Sequence, residues 1–223
     1  MPGGSLGSPA ASSSSAVREK ARLTSRAFFL LLAVASAASA EGRGPVRSLQ
    51  EIRQANVIVQ QWDVSCGAAA LATLLTYHHG EPVSEKAVAQ AMLGKTDPLR
   101  VKHRGGFSLL DLKRYAEARG FQADGYIGVS LAELVKFGPA IVPVVLDRYP
   151  HFVVFRARSG DRVLIADPAY GNRSVEVEVF EKAWQKIAFV VDRPGGDKPP
   201  SRLGPRLLDE LRPSADMIRS AVR

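Results

Sequence analysis

The sequence predicts an α+β domain, because helical and β patterning fall in separate halves of the chain. In the first half, apolar residues recur at helical spacing between capping residues and glycine stops. The second half changes period, into β-rich runs separated by turn residues. The 223 residues suffice for one domain with a real core and its tails, but not for two full domains.

The N-terminus reads as a targeting segment. Residues 3–15 are rich in Gly, Ser, Ala and Pro, and a basic stretch from Arg18 to Arg26 precedes the apolar run AFFLLLAVASAASA at 27–40. That run has the length of a signal-peptide apolar region and falls short of the ~20 residues a spanning helix needs. Ala38-Ser39-Ala40 supplies the small-x-small cleavage pattern, so residues 1–40 are expected to be a signal peptide and the mature chain to begin at Glu41. The alternative is an uncleaved membrane anchor. Either way the domain is exported, with a periplasmic location expected. Residues 41–56 read as a polar lead-in, 57–192 as the folded domain, and 193–223 as a Pro/Gly linker followed by a tail interrupted at Pro213.

Within the domain, GAAALATLLTYHH after Cys66 is Ala-rich and nearly uncharged, which predicts a buried helix. A second helix fits Ser84–Leu93, closed by Gly94. A third fits Leu109–Arg119, capped by Ser108 with Asp111 at its third position and stopped by Gly120. A short fourth follows Ser130, with Glu133 completing a capping box. Strands are expected at 141–147, 152–158, 162–167, 174–180 and 187–192. SVEVEVF at 174–180 alternates strictly, as a strand with one wet face does.

Charge and cysteine count narrow the function. The net charge is +8, of which +3 belongs to residues 1–40 (Arg18, Lys20, Arg22 and Arg26 against Glu19), leaving a mildly basic +5. Lys and Arg are scattered and not interleaved with aromatics, which argues against nucleic-acid binding. GGDKPPS at 195–201 lacks the spacing of a phosphate-binding loop, so no nucleotide is expected. The single cysteine excludes an internal disulfide and any zinc site needing two thiolates from this chain. A lone thiol in an exported protein is an oxidation liability, and catalysis is a reason to keep one.

Cys66 lies where QQWDVSCG turns from loop to helix. Free N–H groups and the positive end of a helix dipole stabilise a thiolate there, and Gly67 would allow close approach of a substrate. A nucleophile needs a base, and the base an orienting group. His78 and His79 lie about 12 residues along the cysteine's own helix, ~18 Å away at ~1.5 Å per residue. His103 falls in the basic stretch VKHRGG, read as a solvated loop. His151 opens the strand HFVVFRAR, which turns at Ser159-Gly160-Asp161 into RVLIAD. A hairpin there pairs residues whose numbers sum to about 319–320, which sets His151 opposite 168 or 169 and diagonal to Asp167 across a ~4.8 Å strand spacing. Taken alone, His151 is an ordinary strand histidine and Asp167 an aspartate before a proline turn. Together with Cys66 they supply nucleophile, base and orienter. For the oxyanion that an acyl transfer develops, either Gln60 or Gln61 could donate beside the Cys66 N–H.

Gln60-x5-Cys66-Gly67 opening a small-residue helix, GGFSLLDLKRYAEARGF at 105–121, HFVVF at 151–155 and ADPAYG at 166–171 together resemble the peptidase C39 family. The resemblance spans about Gln54 to Asp192. It implies a papain-like cysteine peptidase fold, with the Cys-bearing helix packed on an antiparallel sheet that carries His and Asp, and cleavage of leader peptides after a Gly-Gly motif. By that likeness Cys66 is the nucleophile, His151 the base, Asp167 its orienter, and Gln60 rather than Gln61 the oxyanion donor. Such domains usually head a bacteriocin exporter, whereas this sequence resembles stand-alone exported members associated with secretion of surface or functional-amyloid proteins. The implied partners are a polypeptide substrate with a Gly-Gly motif and a secretion or amyloid-assembly machinery; no cofactor is implied. Two other readings remain open at this point: a catalytically silent module that binds leader segments, and a papain-like amidase acting on cell-wall peptides.

Overall fold

The computed structural model describes residues 3–4, 48–146, 148–195 and 199–205. The expected signal peptide at 1–40, apart from Gly3 and Gly4, the first part of the lead-in at 41–47 and the tail at 206–223 lie outside the described residues. From residue 48 onward the elements run α1 (Leu49–Gln54), α2 (Cys66–Tyr77), α3 (Glu85–Leu93), α4 (Pro98–Arg104), α5 (Leu109–Ala118), β1 (Gln122–Ile127), α6 (Leu131–Phe137), β2 (Ala140–Leu146), β3 (Tyr149–Ser159), β4 (Arg162–Asp167), β5 (Gly171–Glu176), α7 (Val177–Ala183) and β6 (Ile187–Asp192). No helix among the described residues is long and apolar enough to cross a membrane.

The helices begin where their caps dictate. Ser84 accepts from the Ala87 N–H, and Ser108 with Asp111 and Ser130 with Glu133 form reciprocal capping boxes. The strands form one antiparallel sheet ordered β1-β6-β2-β3-β4-β5. Both faces of that sheet are covered. On one face Ile141, Val154, Ala166, Phe189 and Val191 pack against α2 and its neighbours α3 to α5. On the other, Val142, Val144, Val153, Phe155, Val163 and Ile165 pack against Leu131 and Leu134 of α6 and against Phe180 and Trp184. Burial on two sides explains why β2 reads as a nearly continuous apolar run.

Five local expectations are corrected. The segment 174–180 is not one strand: β5 ends at Glu176, and Val177–Ala183 is helical. Phe180 and Trp184, four apart, stack at 5.4 Å and fill the second core, so tertiary burial selects the helical spacing over the alternating one. The VKHRGG stretch is also helical, with Asp97 capping the Leu99 N–H, Pro98 in the first turn and Gly105 closing it at φ +75°. Gln122–Ile127, unassigned from sequence, pairs with β6 at a sheet edge. The lead-in contains α1, and residues 199–205 are not a free linker. Arg202 donates its N–H to the Tyr77 carbonyl (2.8 Å), and Leu203 is fully buried.

α1 is seated against β5 by Gly171. Its φ is +83°, and a Cβ there would lie 2.5 Å from the Arg53 carbonyl oxygen. Gly171→Ala is expected to destabilise the domain by at least the ~1–2 kcal/mol of a left-handed non-glycine backbone, read as a lower denaturant midpoint. A change within ~0.5 kcal/mol would show that β5 and α1 separate freely.

Candidate active site

The nucleophile candidate is delivered by a tethered segment. The Ile58 N–H donates to Thr73 Oγ1 of α2 (2.9 Å), and the Gln60 N–H donates to the Pro168 carbonyl beyond β4 (2.8 Å). The chain then turns through Trp62 to Ser65 and enters α2 at Cys66, whose residues are buried from Cys66 to Leu75. Ser65 occupies the N-cap but does not cap. Its hydroxyl lies 2.7 Å from the Trp62 carbonyl and against the buried Glu85 carboxylate, which also accepts the Gln61 N–H at 3.0 Å on both oxygens. The N–H groups opening α2 are therefore left for the site, where those of Gly67 and of Phe152 on β3 favour the anionic form of the Cys66 sulfur.

The strand register brings in His151. Near its turn the β3–β4 hairpin pairs Ser159 with Arg162, a sum of 321, and a bulge at Arg156 shifts the pairing so that Phe155 meets Ile165 and Val154 meets Ala166, a sum of 320. Continued to the sheet end, this sets His151 opposite residue 169 and diagonal to Asp167. The His151 Nε2 lies 2.8 Å from Asp167 Oδ1, which leaves Nδ1 for its hydrogen bond with Cys66. Asp167 is fully buried. Its Oδ1 also accepts the Ala169 N–H (2.9 Å), and Arg173 donates to its Oδ2 (3.3 Å).

These contacts separate the charges. Burial pushes the Cys66 thiol up, but the His151 hydrogen bond, the Phe152 N–H, the imidazolium charge and the Gly67 N–H outweigh it and hold the thiol below its ordinary 9.0. Burial pulls His151 down, yet the hydrogen bonds and charges of Asp167 and Cys66 raise it from 6.5 to about 9. Burial likewise raises Asp167, and His151, the Ala169 N–H and Arg173 more than reverse that. Both shifts favour the thiolate–imidazolium form of the pair, the form that can attack a carbonyl and protonate a leaving group.

The other candidates fall elsewhere. Gln60 is half-buried, its Nε2 donates to the Trp62 carbonyl (3.0 Å), and its Oε1 has no hydrogen-bond partner among the described residues. Gln61 is exposed, with its backbone committed to Glu85. His78 closes α2 and meets Ser201, His79 is buried against the Val191 carbonyl, and His103 is exposed on α4; none approaches Cys66. Gly67 owes its identity to packing rather than to substrate approach, because an added Cβ would meet Leu112 Cδ1 at 3.2 Å and Phe152 Cδ2 at 3.3 Å. Arg173 and Glu85 were not anticipated. A hairpin count across Pro168–Tyr170 would have found Arg173, since Asp167 pairs with Gly171 two residues before it. Glu85 carries no sequence signal beyond its place in a first helical turn.

Cys66 and His151 open onto a cleft of about 970 Å³ walled by α1, the start of β3 and the β4–β5 hairpin. Among the described residues no group of three His, Cys, Asp or Glu side chains could hold a metal ion.

The geometry has known counterparts. Residues 54–195 match the model of the Peptidase C39 family. The chain is 42% identical over 179 residues to a protein of Pseudomonas aeruginosa named probable functional amyloid protease FapD, covering 77% of this chain and 78% of that one. The corresponding protein of Pseudomonas fluorescens is 40% identical over the same shares. Among solved structures, the peptidase domain of Streptococcus ComA, a bifunctional ABC transporter, superposes with a TM-score of 0.52 at 22% identity, over 61% of this chain and 97% of that domain, a likeness of fold. With a family match across residues 54–195 and an α+β, papain-like fold in common, the chain is a cysteine peptidase and belongs to the Peptidase C39 family.

Proposed function

We propose that the protein is an endopeptidase that processes an exported polypeptide at a Gly-Gly-type site, with Cys66 as nucleophile, His151 as acid and base, Asp167 as orienter and Gln60 in the oxyanion hole. The observation that carries the catalytic reading is the shared imidazole: one ring contacts the Cys66 sulfur and, at 2.8 Å, a fully buried Asp167. No other histidine among the described residues reaches the thiol. The likeness to the FapD proteins and the signal-like residues 1–40 support an exported substrate linked to functional-amyloid secretion. The Gly-Gly preference rests on the sequence motifs.

In this mechanism the Cys66 thiolate attacks the scissile carbonyl carbon, and the oxyanion receives N–H donors from Cys66 and Gln60. The His151 imidazolium gives its sulfur-facing proton to the departing amine, leaving a thioester on Cys66. The now neutral imidazole takes a proton from water, the hydroxide attacks the thioester, and Cys66 leaves as thiolate while His151 is again imidazolium. Asp167 holds the ring tautomer and offsets the charge.

Three outcomes are expected. Peptides containing Gly-Gly are cleaved after the motif, cell-wall peptide fragments are not, and Cys66→Ala abolishes the reaction; turnover of the wall fragments instead, or none of either, would overturn the proposed function. The active form exists above the lowered thiol value and below the His151 value, so kcat/KM against pH should be bell-shaped with its alkaline limb at about 9. Alkylation of Cys66 no faster than that of a free cysteine would contradict the ion pair. Gln60→Ala should lower kcat by about 10²–10³ with little change in KM, while Gln61→Ala stays near the parent; equal effects would remove Gln60 from the oxyanion hole.

A further inference from the structure

α1 has six residues and no buried side chain, and a helix that short has no stability of its own in water. The fold nevertheless holds it at both ends. Ser48 and Glu51 exchange backbone and side-chain bonds of 2.6 and 3.1 Å at its start. At its end the buried Asn172 Nδ2 donates toward the carbonyls of Ala55 (2.7 Å), Arg53 (3.0 Å) and Ile52 (3.4 Å), and Gly171 admits the Arg53 backbone where any Cβ would block it. All but Gln54 of this helix precedes the residues that match the family model.

What this fixes in place is a wall of the cleft. Leu49 and Arg53, four apart and so on one helix face, both line it, and Leu49 is 81% exposed. No carboxylate among the described residues pairs with Arg53. From β5, Arg173 lines the same region, its guanidinium 5.4 Å from the Tyr170 ring centre and one N–H spent on Asp167. The remaining charge on the cleft lining, Asp63, lies in the loop that leads to Cys66. The lining therefore carries one acidic side chain, on the loop before Cys66, and two basic ones, on α1 and β5.

His151 must meet the departing amine, so the chain on that side of the bond leaves past His151 toward Ala169, Tyr170 and α1. We propose that α1 and the β4–β5 hairpin form a subsite for an acidic side chain of the polypeptide, C-terminal to the scissile bond, held between Arg53 and Arg173. The subsite rests on the assignment of Cys66 and His151 made under the proposed function. It adds a charge requirement on the part of the substrate that follows the cut.

The full chain is tested on short synthetic peptides that carry Asp, Asn or Lys at successive positions on either side of a Gly-Gly bond, with cleavage sites and rates read by mass spectrometry. An Asp after the bond should raise kcat/KM about two- to fivefold over Asn, as partly exposed ion pairs do, and the advantage should vanish near 1 M salt. Arg53→Glu should turn the preference toward Lys, and Arg53→Gln should erase it, with unfolding midpoints measured alongside. A wild-type enzyme indifferent to charge after the bond, a preference confined to positions before it, or an Asp preference surviving in Arg53→Glu overturns the subsite alone. Absence of Cys66-dependent cleavage overturns the proposed function, and the subsite with it.

Discussion

A carboxylate with no exposure to solvent persists as an anion only where donors replace the water it has lost. Asp167 has three: the His151 ring, the Ala169 N–H and the Arg173 guanidinium. They come from β3, from the turn after β4 and from β5, so one buried charge ties three consecutive pieces of the sheet end together. The next residue extends the tie, because the Pro168 carbonyl accepts the Gln60 N–H and anchors the segment that runs into Cys66. The placements of His151 and of Cys66 thus share one turn.

The cysteine side is held with comparable rigidity. α2 is buried along most of its length between the sheet and α3, and its alanines permit that close approach. Glu85 at the start of α3 draws the Ser65 hydroxyl and the Gln61 N–H away from the start of α2, which leaves backbone donors facing the sulfur. A serine engaged elsewhere at the N-cap gives up a stabilising local bond, and what is gained is an uncapped helix end beside the Cys66 sulfur. Local helix stability yields here to the chemistry of the site.

Arg156 links the register to the cleft wall. It is the extra residue of the β3 bulge, it is buried, and its guanidinium reaches the Leu203 and Arg202 carbonyls and Asn172 Oδ1. The amide nitrogen of Asn172 in turn holds the end of α1. The bulge that sets the pairing beside His151 therefore also connects the segment at 199–205 with the helix that walls the cleft. Each of these contacts joins residues far apart in sequence.

Much of this was legible in the chain alone, because caps, apolar periodicity and hairpin counting are local. Ser84, Ser108 and Ser130 mark helix starts, the apolar runs mark the strands, and the turn at Ser159-Gly160-Asp161 is enough to bring His151 near Asp167. The motif around Cys66 marks the start of α2, and with the strand motifs it points to the family. What the tertiary structure decided is whatever depends on a partner distant in sequence. The helix at Val177–Ala183 forms because Phe180 and Trp184 have a core to fill, and α1 stays in place because Asn172 and Gly171 hold it. Glu85 reaches the cysteine loop across a buried gap, and Arg173 completes the carboxylate's shell across a turn. Periodicity states which face of an element is apolar; only packing states what that face, or a buried charge, will meet.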